Sequence, residues 1–232
     1  SSDLDRADEL RGVRTAAIMI LGQPSYLRRE IADSIRHVSL FCSTKTRVAV
    51  NEGWADFMPC FFSQVPSLLG VHIPADVAMV SVSPPDEHGY CSLGVSVDYS
   101  RRAVEVCRTV IAEVNPTMPH LLGDCLVHVR DIDYLVEADR PIPEVPPTPP
   151  TDAERRAGEC AAELIGDGAT VQLGIGALPE VVCNQLADRR DLGVHSEMIS
   201  DAVMDLVERG VITGARKTDR KSTRLNSSHT IQ

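Results

Sequence analysis

The feature that most limits the fold is a run of prolines past the middle of the chain. Residues Pro141–Pro150 read PIPEVPPTPP, with six prolines in ten positions. Proline lacks a backbone N–H and has a fixed φ, so this run can form neither a helix nor a central strand. It favours an extended, semi-rigid connection. We therefore predict an N-terminal domain over residues 1–140, a linker over 141–151, and the start of a C-terminal domain over 152–220.

Ahead of the linker, strand-like segments alternate with helix-like ones, which indicates an α/β fold. The predicted strands are Thr15–Leu21 (ending at Gly22), Arg47–Val50, Asp76–Val82 and Val110–Val114, and Tyr26–Ile35 is the predicted helix. The strongest strand signal is DVAMVSV, which stops abruptly at Ser83-Pro84-Pro85.

The alternation continues after the linker. Thr151 or Asp152 can cap a helix that runs to about Ile165. The later predicted elements are a turn at Asp167-Gly168, a strand over Ala169–Leu173, a glycine turn, a helix over Leu178–Leu186, a strand over Leu192–His195, a helix over Asp201–Arg209 closed by Gly210, and a strand from Val211.

Composition excludes some partners. Asp and Glu number 33 against 23 Lys and Arg, a net charge of -10. Such a chain lacks the basic field that attracts nucleic acid or anionic membranes, although local donors could still hold a small phosphorylated ligand. No apolar run approaches the roughly 18 residues of a membrane span, and no signal peptide is visible. We expect a soluble, cytoplasmic protein.

Seven cysteines, none in a CxxC pair, weaken any zinc-ribbon or thioredoxin-like interpretation. They stand in apolar settings, so we expect buried, reduced thiols. They are Cys42, Cys60, Cys91, Cys107, Cys125, Cys160 and Cys183.

The first candidate site is the strand–Gly-Ile-Gly–helix unit around Gly174, Ile175 and Gly176. Two glycines let the backbone approach a ligand closely, and the following helix N-terminus supplies free N–H donors for a phosphate or a carbonyl oxygen. The pattern is neither GxGxxG nor a phosphate-binding P-loop. A simple tight turn and a ligand loop both remain open interpretations.

Glu197 is the second candidate, because it follows the short predicted strand that comes next along the chain. Ligands of open α/β sheets bind outside the carboxyl ends of the strands, so Glu197 and the glycine turn could face one crevice. Glutamates are ordinarily ionised at neutral pH and can attack without a general base. A capping or ion-pairing role for Glu197 is the competing interpretation.

The third candidate is the polar, proline-stiffened loop from Ser83 to Tyr90, which follows the strongest predicted strand. Its consecutive Asp86, Glu87 and His88 could suggest a metal. Consecutive residues rarely converge on one ion, and no second His/Cys cluster accompanies them, so we expect no metal site. GYCSLG over 89–94 also lacks the GxSxG spacing of a serine hydrolase.

Taken together, four stretches resemble the acetyl-CoA hydrolase/CoA-transferase family, most of all its 4-hydroxybutyrate CoA-transferase branch. They are DVAMVSVSPPDEHGYCSLGVSVD (76–98), VIAEVNPTMP (110–119), DGATVQLGIGALPEVV (167–182) and DLGVHSEMISD (191–201). The similarity runs from about Thr15 to Lys217. It implies the α/β CoA-transferase fold shared with sugar-phosphate isomerases, in two α/β domains of which the second is incomplete.

The resemblance also implies roles. Glu197 matches the family's catalytic glutamate, and its coenzyme A loop is matched by Gly174, Ile175, Gly176, Ala177 and Leu178. The loop from Ser83 to Gly89 would lie near the active site. Coenzyme A would enter as acyl-CoA substrate, with no permanently bound cofactor, and the protein would form a homodimer. The reaction would pass through an acyl-glutamyl anhydride and a glutamyl-CoA thioester on Glu197.

The chain departs from the family pattern in several places. Ala202 stands where the family usually has Gly, and His120 where it usually has Arg, which weakens any anion contact there. The start lacks the first part of the family's N-terminal domain. The polar residues 221–232 resemble translated vector sequence, so we expect a fragment with a disordered, non-native tail.

Four hypotheses remain open at this stage. A CoA-transferase and an acyl-CoA hydrolase share the fold and the carboxylate, and differ in whether an acid or water takes the acyl group. An inactive fragment that keeps partial CoA binding is a third. A sugar-phosphate isomerase or regulatory protein on the same fold is a fourth. Acetyl-CoA, butyryl-CoA and 4-hydroxybutyrate are candidate substrates by resemblance alone.

Overall fold

The computed structural model describes residues 9–20, 24–144, 146 and 148–218, which divide into two compact units. The first comprises the described residues up to His120 together with Cys125–Pro143. The second comprises Leu121–Asp124 and the described residues from Glu144 onward. The main division, between Pro143 and Glu144, therefore falls inside the proline-rich segment.

The first unit contains eight strands and three short α-helices among its described residues. The strands are β1 (Val13–Ala17), β2 (Ile35–Ser39), β3 (Asp56–Phe57), β4 (Val77–Val82), β5 (Tyr90–Ser92), β6 (Thr109–Val114), β7 (Leu126–His128) and β8 (Tyr134–Glu137). The helices are α1 (Arg47–Asn51), α2 (Val65–Leu68) and α3 (Ser100–Val106).

These strands form two parallel sheets and one antiparallel pair. The first sheet has the order β1-β2-β3, and the second has the order β4-β6-β8. β5 pairs with β7 in antiparallel fashion. Alternate residues of β4 and β6 are buried, and Ala78, Val80 and Val110 lie in one apolar cluster. This cluster fixes the register in which the ends of β4 and β6 leave the sheet.

The second unit alternates three helices with two short strands in its described part. These are α4 (Asp152–Glu163), β9 (Thr170–Val171), α5 (Ala177–Gln185), β10 (Gly193–Val194) and α6 (Asp201–Glu208). β9 and β10 are parallel, and a single bridge from Leu192 to Ile212 extends the ladder. Leu186, Leu192 and Leu206, each at most 2% exposed, anchor the core between helices and strands.

Local sequence explains why α4 begins where it does and how it packs. The Thr151 hydroxyl accepts the Glu154 N–H, and the Glu154 carboxylate accepts the Thr151 N–H, which is a reciprocal capping box. Gly158 lies where α4 crosses α5, and a Cβ there would stand 2.5 Å from Val181 Cγ1. The missing side chain therefore sets how closely α5 approaches α4.

Most elements of the second unit match the sequence predictions. The predicted helices from Asp152, over Leu178–Leu186 and over Asp201–Arg209 are confirmed to within one or two residues. Gly210 follows the last of them with a φ of 72°. The strands predicted over Ala169–Leu173 and Leu192–His195 are present but only two residues long.

Two element predictions in the first unit are wrong. Arg47–Val50 is helix rather than strand, because the segment buries only Ala49 and turns back at Glu52. Tyr26–Ile35 holds a single 3-10 turn at Arg29–Ile31, and Ile35 already belongs to β2. β2 is the central strand of a parallel sheet, and such strands lack the polar–apolar alternation that would have revealed it.

Other predictions are adjusted or fall outside the description. The strands at Asp76–Val82 and Val110–Val114 are confirmed. The strand predicted over Thr15–Leu21 begins earlier, at Val13, and ends at Ala17. Leu21, Gly22 and the tail over 221–232 lie outside the described residues. Across the described residues, no helix combines the length and apolar composition that a membrane span requires.

Candidate active site

A glycine-containing bend joins β9 to α5. Gly176, the residue before α5, has φ 109° and ψ -179°, a region that essentially only glycine enters. A Cβ there would meet no atom within 4 Å, so conformation rather than crowding requires this glycine. At Gly174 an added Cβ would stand 3.7 Å from the Pro179 ring, an ordinary contact. Only the second glycine is therefore needed by the backbone itself.

The bend leaves backbone donors open. Gly174, Ile175 and Gly176 are exposed, and their N–H groups make no hydrogen bond to another described residue. α5 starts at Ala177, so the positive end of its dipole adds to the field of these donors. A negatively charged or polarised oxygen is stabilised by such an arrangement.

Glu197 lies just beyond β10 and is exposed. The His195 N–H donates to the Val171 carbonyl at 2.9 Å, which is the last main-chain bond between these strands. The Glu197 carboxylate makes no hydrogen bond or ion pair with another described residue. Capping and ion pairing, the competing interpretations of this glutamate, therefore find no partner in the described part of the chain.

Ser196 connects the two candidate segments. Its hydroxyl donates to the Leu173 carbonyl at 2.8 Å and accepts the Leu173 N–H at 3.3 Å. Leu173 precedes Gly174, Ser196 precedes Glu197, and consecutive Cα atoms are about 3.8 Å apart. The glycine bend and Glu197 are thus neighbours. Ser196 was not predicted from the sequence, because its partner lies 23 positions away along the chain.

The side chains of the predicted coenzyme A loop divide by exposure. Ala177 is buried at 9%, so it can offer a ligand only its backbone. Apolar side chains beside the bend and beside Glu197 are instead exposed. They are Ile175 (63%), Leu178 (39%), Met198 (42%) and Ile199 (41%). Two of these exposed apolar side chains, Met198 and Ile199, therefore directly follow the exposed Glu197 in the chain.

The loop from Ser83 to Tyr90, in the first unit, is closed by its own hydrogen bonds. Asp86 Oδ1 accepts the Tyr90 N–H at 2.8 Å and the His88 N–H at 2.9 Å. The Asp86 N–H donates in turn to the Tyr90 carbonyl at 2.8 Å. The bond from Tyr90, then that from His88 and the nearby imidazoles, hold the Asp86 pKa below its usual range.

His120 adds a further closure of this loop, a role that the sequence analysis did not identify. Its Nδ1 lies 2.9 Å from Ser83 Oγ, and its Nε2 lies 3.9 Å from Asp86 Oδ2. Ser83 is 1% exposed, and its Oγ also accepts the Ser92 N–H at 2.9 Å. Although serine, histidine and aspartate meet here, this buried and fully engaged hydroxyl is not available as a nucleophile.

The described residues hold several thiols but no cluster of metal ligands. Over residues 9–20, 24–144, 146 and 148–218, no group of three or more His, Cys, Asp or Glu could hold a metal ion. None of the seven cysteines forms a disulfide with another described residue. Burial, with Glu180 contributing less, raises the Cys183 pKa to about 11. The prediction of buried cysteines is confirmed for three of them and wrong for Cys160, which is exposed on α4. The buried three are Cys91, Cys125 and Cys183, whereas Cys42, Cys60 and Cys107 are only partly buried.

Comparison with known proteins adds a family. A model of the acetyl-CoA hydrolase/transferase N-terminal domain matches residues 2–146. The 4-hydroxybutyrate coenzyme A transferase of Clostridium kluyveri is 49% identical over 212 residues, which make up 91% of this chain and 49% of that protein. The chain thus spans about half the length of the relatives it matches.

Solved structures agree with this likeness. RipA from Yersinia pestis superposes with a TM-score of 0.88 at 36% identity, over 93% of this chain and 53% of RipA. The 4-hydroxybutyrate CoA-transferase from Porphyromonas gingivalis gives a TM-score of 0.72 at 34% identity, over 94% of this chain and 59% of that one. The fold predicted from the sequence, the α/β fold of these proteins, is confirmed.

Proposed function

The chain belongs to the acetyl-CoA hydrolase/transferase family, and from this premise we propose that it carries the nucleophile and a CoA-binding bend of an acyl-CoA:carboxylate CoA-transferase. Glu197 is the nucleophile. The bend is formed by Gly174, Ile175, Gly176, Ala177 and Leu178. The observation that carries the proposal is the Ser196–Leu173 hydrogen bond, because it makes an exposed, unpaired carboxylate the neighbour of open N–H donors.

In the first half-reaction, a Glu197 oxygen attacks the carbonyl carbon of the acyl-CoA thioester. The carbon–sulfur bond breaks, CoA thiolate leaves, and an acyl-glutamyl anhydride forms. The thiolate then attacks the glutamyl carbonyl carbon and expels the first acid as its carboxylate. Glu197 is left as a glutamyl-CoA thioester.

In the second half-reaction, an acceptor carboxylate attacks the glutamyl thioester and releases thiolate, which gives a new anhydride. The thiolate attacks the acceptor's acyl carbon, so the new acyl-CoA leaves and the Glu197 carboxylate is regenerated. No proton, oxidant or metal is consumed in the balanced exchange. The Glu197 carboxylate is therefore the one covalent catalyst that the exchange requires.

The bend supplies what the weak nucleophile lacks. Attack by a weakly basic carboxylate is uphill, so binding energy from the remote nucleotide and pantetheine must be used at the reacting centre. Holding the thioester next to Glu197 can contribute about 7–11 kcal/mol through proximity. The open N–H groups of Gly174 and Gly176 are suitable donors to the oxyanion that develops during attack.

The named relatives indicate the acyl range. Proteins similar to this chain are named for 4-hydroxybutyrate, for cyclohexane-1-carboxylate, and for butyryl-CoA with acetate. We propose a small carboxylate of the 4-hydroxybutyrate, acetate or butyrate type. The exposed apolar side chains of Ile175, Leu178, Met198 and Ile199 suit the hydrocarbon part of such a thioester. A cytoplasmic location and a homodimer remain part of the proposal.

Covalent trapping tests the function. The chain is incubated with butyryl-CoA and reduced with borohydride, which converts a glutamyl-CoA thioester to an alcohol, and peptides are mapped by mass spectrometry. We expect the alcohol at Glu197 in the wild type and none in Glu197→Gln. Glu208→Gln, which changes an exposed glutamate of α6, is the matched control and should be labelled like the wild type.

The acceptor then separates the competing functions. Acetate added after butyryl-CoA should yield acetyl-CoA if the chain is a transferase. Release of free CoA without acetyl-CoA would favour the hydrolase, in which water takes the acyl group from the same carboxylate. Binding of CoA without any adduct at Glu197 would contradict the proposal and favour a binding-only fragment.

A further inference from the structure

The main-chain ladder between β9 and β10 has a regular step. The Gly193 N–H donates to the Ala169 carbonyl and the His195 N–H donates to the Val171 carbonyl, each at 2.9 Å. Donor and acceptor both advance by two residues, as parallel pairing requires. The next bond in the series would run from the Glu197 N–H to the Leu173 carbonyl.

That bond is not made. The Leu173 carbonyl accepts instead from the Ser196 hydroxyl at 2.8 Å, and the same hydroxyl accepts the Leu173 N–H at 3.3 Å. One side chain thus satisfies both main-chain polar groups of Leu173. The Glu197 N–H makes no hydrogen bond to another residue in the described ranges.

The replacement of the Glu197 N–H by the Ser196 hydroxyl as donor to Leu173 has a consequence for Glu197. Had the ladder continued, its main chain would be fixed in the sheet and its N–H consumed. With Ser196 in its place, the paired strand ends at His195 and the chain turns away toward α6, which starts at Asp201. Both the carboxylate and the N–H of Glu197 stay available, while Ser196 still ties the segment to the residue before the glycine bend.

We propose that Ser196 is a positioning residue whose hydroxyl releases Glu197 from the β9–β10 ladder and holds it beside the Gly174–Gly176 bend. This inference rests on the proposed function for its effect on rate, but the hydrogen-bond exchange it describes can be measured without any reaction. Ser196 itself touches no reacting atom in this account.

The test compares three variants in the full chain. Ser196→Ala removes the hydroxyl, Ser196→Thr keeps it, and Ser200→Ala removes a hydroxyl from the same segment that makes no capping bond to α6. The rate of borohydride-trappable adduct formation at Glu197 is measured at saturating butyryl-CoA. We expect Ser196→Ala to slow capture about 10- to 100-fold, as small misplacements of reacting groups do. Ser196→Thr and Ser200→Ala should stay within about threefold of wild type.

Amide hydrogen exchange supplies the second readout. In the wild type we expect a protected Leu173 amide and a freely exchanging Glu197 amide. In Ser196→Ala the Glu197 amide should gain protection, because its N–H can then donate to the Leu173 carbonyl that the hydroxyl occupied. The inference would be overturned if Ser196→Ala formed the adduct at the wild-type rate, or if the Glu197 amide were protected in the wild type. If the wild type forms no adduct at all, the proposed function fails, and amide exchange alone still decides whether Ser196 releases Glu197.

Discussion

The Ser83–Tyr90 loop after β4 uses its polar groups on itself, whereas the Gly174–Gly176 bend after β9 leaves them open. In the loop, Asp86 accepts two N–H groups and the Ser83 hydroxyl accepts a third, from Ser92. In the bend, three successive N–H groups have no acceptor in the described part of the chain. Both segments follow parallel strands, so position in the sheet alone does not leave backbone donors open.

The difference teaches which composition leaves backbone donors open in this fold. The loop carries Asp86, Glu87 and His88, yet the Asp86 carboxylate accepts the loop's own His88 and Tyr90 N–H groups, and the Glu87 carboxylate lies 3.7 Å from the His88 imidazole. The bend consists of glycine and apolar residues, whose side chains offer no hydrogen-bond acceptor. Its backbone N–H groups therefore remain available to a ligand. The segment with fewer polar side chains is therefore the one whose backbone N–H groups stay available.

Among changes in these two segments, Gly176→Ala should have the largest effect on the free energy of unfolding. Its φ of 109° and ψ of -179° would strain any side chain, so we expect a loss of about 2–3 kcal/mol in the free energy of unfolding, measured in urea. Gly174→Ala is the matched control and should change stability by less than about 1 kcal/mol, since it meets only an ordinary contact. Equal losses in both variants would remove the special role of Gly176.

Ser83→Ala should have the next largest effect, on the closed loop. It removes from the interior an acceptor for the Ser92 N–H and the partner of His120 Nδ1. We expect a loss of about 1–2 kcal/mol in the free energy of unfolding. Ser96→Ala removes a hydroxyl that bonds only at the surface, to Asp98, and should cost at most about 0.5 kcal/mol. A neutral Ser83→Ala would mean that the loop does not depend on this closure.

Asp86→Asn should have the smallest effect, a change in how the stability depends on pH. The Tyr90 N–H bond foremost lowers the pKa of Asp86, so the unfolded chain takes up this proton first as the pH falls. The stabilising contribution is complete above the ordinary aspartate range and is lost as the pH drops toward the lowered pKa. Asparagine does not titrate there, so we expect a shallower acid limb in stability measured against pH. Parallel curves for wild type and variant would contradict this.

Sequence reasoning succeeded where a local signal determines local structure. The Thr151–Glu154 capping box marks the start of α4, and Gly210 follows the end of α6, and both helices form as predicted. It failed where pairing with distant segments decides. Tyr26–Ile35, predicted as helix, holds only a 3-10 turn, and β2, which starts at Ile35, was not predicted because it forms by pairing with β1 and β3. Arg47–Asn51 forms a helix despite its β-branched valines.

The candidate site was predictable in its residue types and not in its construction. The glycines and Glu197 could be named from spacing and resemblance, because both follow strands. The part taken by Ser196 could not, since it depends on a hydrogen bond to a residue 23 positions away. For the same reason His120 was seen only as a departure from the family pattern, and not as the partner of Ser83.

Titration of the isotope-labelled chain with CoA tests the central claim most directly. If the bend is the open element, the backbone amide resonances of Gly174, Ile175 and Gly176 should shift as CoA is added, while those from Asp86 to Tyr90 stay in place. Shifts confined to the Asp86–Tyr90 amides, with the three bend amides unmoved, would contradict the account.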